Sequence, residues 1–257
     1  MNGIVIIAPI DKYRHEGCDG KCFHPDNDGD FLLILLTIVS SMVQETAISK
    51  AITKLSDVRS KFNLTRSDDP QFFTEWLGEL PEIDEEEKLS LERLKTRYFY
   101  YLEESEKISE GTVNIIMIHP LLDVMGLCDP PFIVRGEPSL KVEIEDKGED
   151  RVLQGRIDAL VLQNQFWVVV IEGKESGFSV FNAVPQTLAY MMGNPHSQRL
   201  SFGMICNGED YIFVKLTRTG ANQYALSDKF TIFNSRSNGL NEAMRVLKQL
   251  SNLSLQR

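Results

Sequence analysis

Residues Phe166–Lys174 read Phe-Trp-Val-Val-Val-Ile-Glu-Gly-Lys. An unbroken β-branched run of this kind marks a strand buried on both faces of a sheet. It closes on Glu172 and Lys174, which are two residues apart and so share one face. Gly173 between them points the other way and leaves the backbone approachable. A central strand that ends in opposite charges predicts a sheet with chemistry at its edge.

Working outward, Arg151–Gln163 (RVLQGRIDALVLQ) and Phe132–Glu145 (FIVRGEPSLKVEIE) read as two further strands, with a turn at Asn164–Gln165. That turn sets Asp158 opposite Ile171. A slip of one residue in this register would bring Asp158 to Glu172, because register decides which side chains meet. Downstream, Val184–Met192 reads as a helix with Pro185 in its first turn. Gln186 and Tyr190 are four apart there and share a face. Leu200–Cys206 and Tyr211–Leu216 form a hairpin around Asn207–Asp210, and Leu240–Leu250 is a closing helix. Upstream, Thr112–Gly126 reads as a helix kinked or split by Pro120. Lys88–Glu106 carries Leu89, Leu91, Leu94, Tyr98, Tyr101 and Leu102 at helical spacing, an expected buried stripe. The expected class is α/β, an α+β mixed sheet flanked by helices.

The expected domains are three. Residues 1–41 are a non-core segment, 42–110 an acidic helical extension, and 111–257 the domain proper. The change of style at Met42 fits a start of translation there. The 257 residues are 42% apolar and 25% charged, which excludes wholesale disorder and a fibrous repeat. The net charge of −10 disfavours coating of nucleic acid through bulk charge. From Arg151 onward, however, 11 basic residues stand against 7 acidic ones. Arg156, Arg199, Lys215 and Arg218 are therefore the expected phosphate contacts. Four scattered cysteines fit a reducing compartment, and Phe31–Val43 is too short to span a bilayer, so the expected setting is cytoplasmic with no membrane partner. His15, Cys18, Cys22 and His24 have the ligand types for zinc, but their Gly/Asp-rich surroundings read as a flexible arm.

Asp158 beside Glu172 is costly unless a cation intervenes, since adjacent carboxylates repel. Mg²⁺, for which Mn²⁺ can substitute, is the natural partner, held by one or two carboxylates and substrate phosphate oxygens. Lys174 can hold an attacking water or stabilise developing charge. This set points to phosphodiester hydrolysis.

With Asp158, Glu172-Gly-Lys174 and Gln186-x3-Tyr190 in the order helix, strands, helix, the sequence resembles the PD-(D/E)XK nuclease superfamily. It is more closely similar to the N-terminal nuclease domain of type I restriction enzyme R subunits. Glu110-Gly-Thr-Val-Asn, His119-Pro-Leu-Leu-Asp-Val-Met-Gly, Gly155-Arg-Ile-Asp158 and Cys206-Asn207-Gly208 carry that likeness, over about residues 95–217. It departs in having Ile157 where a Pro precedes the Asp, and in lacking a Gly-x4-Gly-Lys-Ser/Thr motor signature. The resemblance implies a restriction-endonuclease-like core and a Mg²⁺-dependent DNA endonuclease of a restriction or defence system. Asp158 and Glu172 would be metal ligands and Lys174 catalytic. Gln186 and Tyr190 would be auxiliary, and Glu110 a helix-borne carboxylate near the metal. Implied partners are DNA and a separate motor or methyltransferase protein; a homodimer stays open. The alternatives are a catalytically silent nuclease-fold protein that binds DNA or a partner, and a junction resolvase or repair nuclease.

Overall fold

The computed structural model describes residues 44–146, 149–163, 166–196, 200–234 and 238–255. The N-terminal segment with its cysteines, the Asn164–Gln165 turn and Arg199 lie outside the described residues. The strands are β1 (Gln44–Ala47), β2 (Thr65–Arg66), β3 (Phe132–Gly136), β4 (Ser139–Asp146), β5 (Glu149–Arg156), β6 (Ala159–Gln163), β7 (Phe166–Gly173), β8 (Ser201–Cys206), β9 (Asp210–Thr217), β10 (Gln223–Leu226) and β11 (Phe230–Thr231). The helices are α1 (Ile48–Ala51), α2 (Leu55–Phe62), α3 (Glu85–Glu104), α4 (Glu110–Val113), α5 (His119–Val124), α6 (Val184–Met192) and α7 (Gly239–Leu255), with a π-helical turn at Asn114–Ile118.

An eight-stranded mixed sheet runs β2-β10-β9-β8-β7-β6-β3, with β11 also on β9; β1-β5-β4 form a second, three-stranded sheet. The Phe166–Gly173 run lies inside the larger sheet, antiparallel to β6 and parallel to β8. The crossover between β7 and β8 carries α6, as a parallel pair requires. Strand alternation sorts the core into two layers. Ala159, Val161, Phe202, Met204, Tyr211 and Phe213 pack with residues of α3, α5 and α7. Leu160, Leu162, Ile205, Ile212 and Val214 pack with residues of α1, α2 and α6. The expected mixed sheet flanked by helices is the observed architecture. No described helix is long and apolar enough to cross a membrane.

Three expectations change in detail. The boundary at residue 110 is not a boundary of packing, since Leu91, Leu94 and Tyr98 of α3 share a core with Val161 and Phe213. Segment 42–110 also supplies β1 and β2 to the sheets. The helix expected from Lys88 starts at Glu85, because the acidic run is its first turn. Asp84 accepts from the Glu87 amide at 2.8 Å while the Glu87 side chain accepts from the Asp84 amide at 2.7 Å, a capping box reinforced by the helix dipole. Finally, the two strands expected before β7 are four. Both break as the chain passes between the sheets, at Glu137–Pro138 and at Ile157–Asp158. The breaks are matched: the Glu137 amide donates to the Asp158 carbonyl and the Ile157 amide to the Pro138 carbonyl.

Pro120 acts as its chemistry dictates. It has no N–H for the Ile116 carbonyl four residues back. The helix widens there into the π turn, in which the His119 amide bonds the Asn114 carbonyl. Arg97 of α3 supplies the missing donor to the Ile116 carbonyl at 3.5 Å. Gly208 is required by its φ of +88° and by the Tyr98 ring, which occupies the space a Cβ would take.

Candidate active site

The site forms where β6 begins and β7 ends. At the far end of β6, Gln163 faces Phe166 and Leu162 faces Trp167; between Leu162 and Val161 the pairing shifts by one, so that Val161 faces Val169 and Ala159 faces Ile171. This β-bulge supplies the one-residue slip and sets Asp158 next in line with Glu172. Asp158 stands in the break rather than mid-strand, and its Oδ2 accepts the Gly173 N–H at 2.6 Å.

Glu172 is only 2% exposed. Lys174 Nζ donates to Glu172 Oε1 at 2.7 Å and to Glu110 Oε2 at 3.2 Å. The Lys174 backbone is fixed by its N–H on the Cys206 carbonyl at 2.8 Å. Glu110 opens α4, where Ser109 caps the helix by accepting from the Thr112 amide at 3.2 Å. The structure thus gathers Glu110, Asp158, Glu172 and Lys174, from the start of one helix and the neighbouring ends of two strands.

Electrostatics follow from burial. Desolvation pushes the Asp158 carboxyl up to about 6; the Gly173 hydrogen bond opposes this and Glu110 adds to it. Burial pushes Glu172 up to about 8, with Lys174 opposing and Asp158 reinforcing. Burial lowers Lys174, but Glu172, Glu110 and Asp158 together carry it above its ordinary value. Glu172 Oε2 is buried with no hydrogen-bond partner. A divalent cation fits this donor set, because it would satisfy that oxygen and offset the desolvated charge. Among the described residues no group of three or more His, Cys, Asp or Glu side chains is arranged as a metal cluster; two carboxylates fall below that count.

Gln186 and Tyr190 meet as their spacing requires, the Gln186 amide donating to the Tyr190 hydroxyl at 2.6 Å. Tyr190 lies against Gly155, where a Cβ would sit 2.6 Å from its ring. Burial pushes its hydroxyl up to about 12, with the Glu172 charge contributing.

The expected phosphate contacts fare differently. Arg156 is exposed and 3.5 Å from Glu137. Lys215 is not a surface cation: alternation along β9 turns it to the face of Tyr211 and Phe213. Its amine is taken by the Phe72 carbonyl at 2.6 Å and by Glu75 at 2.5 Å. Arg218 donates to the Met192 carbonyl at 2.9 Å and to the Asn194 carbonyl, closing the end of α6.

Two residues near the site were not singled out from the sequence. Glu137 has a positive φ of 47° and adds to the raised pKa of Asp158. Its Gly-Glu-Pro setting was the available signal. Asn114 lies four residues after Glu110, hence on the same helix face, and its Oδ1 is buried without a partner.

No family model matches the chain, and no curated protein matches it. One solved structure to which it is similar is a fragment assigned as an HsdR subunit of a type I restriction enzyme from Vibrio vulnificus YJ016, at a TM-score of 0.34 and 17% identity. The match covers 56% of this chain and 26% of that one, so the chain spans about a quarter of its neighbour's length. A likeness at this level assigns neither family nor activity.

Proposed function

We propose that the chain is a divalent-cation-dependent nuclease of the PD-(D/E)XK kind that hydrolyses phosphodiester bonds in DNA, working within a restriction or defence system. One observation carries the reading: Glu172 is buried with one oxygen on Lys174 and the other on nothing, in the field of a second carboxylate, Asp158. Glu75 Oε2, beside Lys215, is likewise buried without a partner, but no second carboxylate among the described residues raises its cost; at Glu172 the Asp158 charge does. A cation site needs such an oxygen left free.

Asp158 and Glu172 would hold the cation, Mg²⁺ or Mn²⁺. When bound, it supplies Lewis acidity toward a phosphoryl oxygen and toward a water. The chain's own residues do the rest. Lys174, held between Glu172 and Glu110, presents a fixed positive charge to an incoming water and to the charge that grows on the phosphoryl oxygens. Glu110 keeps that amine in place from outside. Gln186 and Tyr190 offer a hydrogen-bonding pair beside Gly155. A cleft of about 460 Å³ lined by Thr46, Ser139, Lys141, Gln154, Gly155 and Arg156 reaches the same glycine, and its two cations suit a phosphate backbone. Lys215 and Arg218, engaged within the fold, are left out of this surface. A motor or methyltransferase protein is the partner this reading implies.

The test is incubation of the full chain with labelled duplex and single-stranded DNA across a Mg²⁺ and Mn²⁺ titration. Cleavage that needs the metal and is abolished by Asp158→Ala supports the reading. DNA binding without metal-dependent cleavage of any form, unaffected by Asp158→Ala, refutes it and favours a silent nuclease fold.

A further inference from the structure

The Asn114 side chain has a place and no visible task. It projects from the first residue of the π turn, and its Oδ1 occupies the position a Cβ on residue 173 would take. Asp158 Oδ2 lies 3.2 Å from that same point and Ile118 Cδ1 2.9 Å. Two oxygens, one a carboxylate's, therefore converge on the side of Gly173 that a side chain would occupy, at the end of β7. Asn114 Oδ1 is buried and accepts no hydrogen bond.

An amide oxygen buried near a carboxylate is unfavourable on both counts, through lost hydration and through repulsion. A donor or a cation on that side removes both penalties. The setting is built for it. Pro120 imposes the π turn, Arg97 repairs the carbonyl it exposes, and glycine at 173 leaves room. Single π turns of this sort recur at functional sites.

We propose that Asn114 belongs to the cation site, its Oδ1 accepting a hydrogen bond from the hydration shell of the ion that Asp158 and Glu172 hold. Mg²⁺ sheds water reluctantly and keeps several molecules when bound to one or two carboxylates. Those waters need acceptors, and Asn114 supplies one without a net charge. The inference rests on the cation of the reading above.

Mn²⁺ binding to the full chain without DNA, followed by the paramagnetic signal of the free ion, tests it. Wild type binds, and Glu172→Gln loses binding. Asn114→Leu, of similar volume, weakens Mn²⁺ binding about 10-fold or more, the usual effect of removing a group that orders a metal's surroundings. Its unfolding midpoint stays level or rises, because the lost oxygen bonds nothing in the protein. Asn114→Asp, which keeps an oxygen there, restores binding. Unchanged Mn²⁺ affinity in Asn114→Leu overturns the inference and leaves the nuclease reading standing. A lowered midpoint with unchanged affinity also overturns it, assigning the amide a purely structural role. Wild type that binds no Mn²⁺ refutes both.

Discussion

Gly173→Ala is the smallest change that interrogates the site. The φ of Gly173 is not in the left-handed region, so the backbone accepts alanine without strain. The difficulty is space. The added Cβ would run into Asn114 Oδ1 and would stand 2.9 Å from Ile118 Cδ1 and 3.2 Å from Asp158 Oδ2. Ile118 is fully buried and cannot yield, so Asn114 and Asp158 must move. Overpacking of this kind costs about 1–3 kcal/mol, or roughly 2–12 °C in a chain of this size. Displacing the carboxylate by about 1 Å would lower the cleavage rate about 100-fold. Gly111→Ala is the internal control, since no atom lies within 4 Å of its added Cβ and it sits in a helix, where alanine is favoured by about 0.5–1 kcal/mol. Thermal melts and initial cleavage rates of the two variants read the contrast. A Gly173→Ala protein that melts and cleaves like wild type would refute the packing described at the end of β7.

Other outcomes follow from the same geometry. Lys174→Ala should leave DNA binding near normal while lowering the cleavage rate roughly 100- to 1000-fold, as expected for lost transition-state electrostatics, in single-turnover assays; a parallel loss of binding would assign the lysine to substrate capture instead. Lys215→Met should cost about 3–5 kcal/mol in chemical denaturation, because Glu75 would be left buried and unpaired, with no change in the salt dependence of DNA binding; a reduced salt slope would return Lys215 to the DNA surface. The pH dependence of stability has a definite sign. Asp158 and Glu172 rise from 3.8 and 4.5 to about 6 and about 8 on folding, so between those values the folded chain holds protons that the unfolded chain has released. Their contribution is full below the unfolded values and is lost as pH rises through about 6 and then about 8. Mn²⁺ binds the ionised carboxylates, so the melting-point gain it confers should be larger at pH 8 than at pH 6; a gain independent of pH would place the ion elsewhere.

The residues that carry the site were legible because each obeys a local rule. The apolar run into Glu172-Gly-Lys174 reads directly as a buried strand with a charged end, and Gln186 and Tyr190 meet through helical spacing. The meeting of Asp158 with Glu172 was not decided by the turn. It depends on a one-residue bulge between Val161 and Leu162, a tertiary adjustment that alternation does not reveal. Pro120 announced a disturbed helix, but not that the disturbance is a π turn presenting Asn114. Lys215 was misplaced because a charge in an apolar strand reads as a surface residue unless its partner is known, and Glu75 lies 140 positions away. Likewise the acidic run Glu85–Glu87 reads as a solvated stretch by composition, while the Asp84–Glu87 capping box makes it the start of a core helix.

Crystals of the full chain soaked in Mn²⁺, with data collected for anomalous scattering, test the central claim most directly. A single strong peak bound by both Asp158 and Glu172, and absent from Glu172→Gln crystals, is the predicted result. Crystals that bind Mn²⁺ only elsewhere, or that show a Glu172 Oε2 satisfied by protein or water in place of the ion, would contradict it.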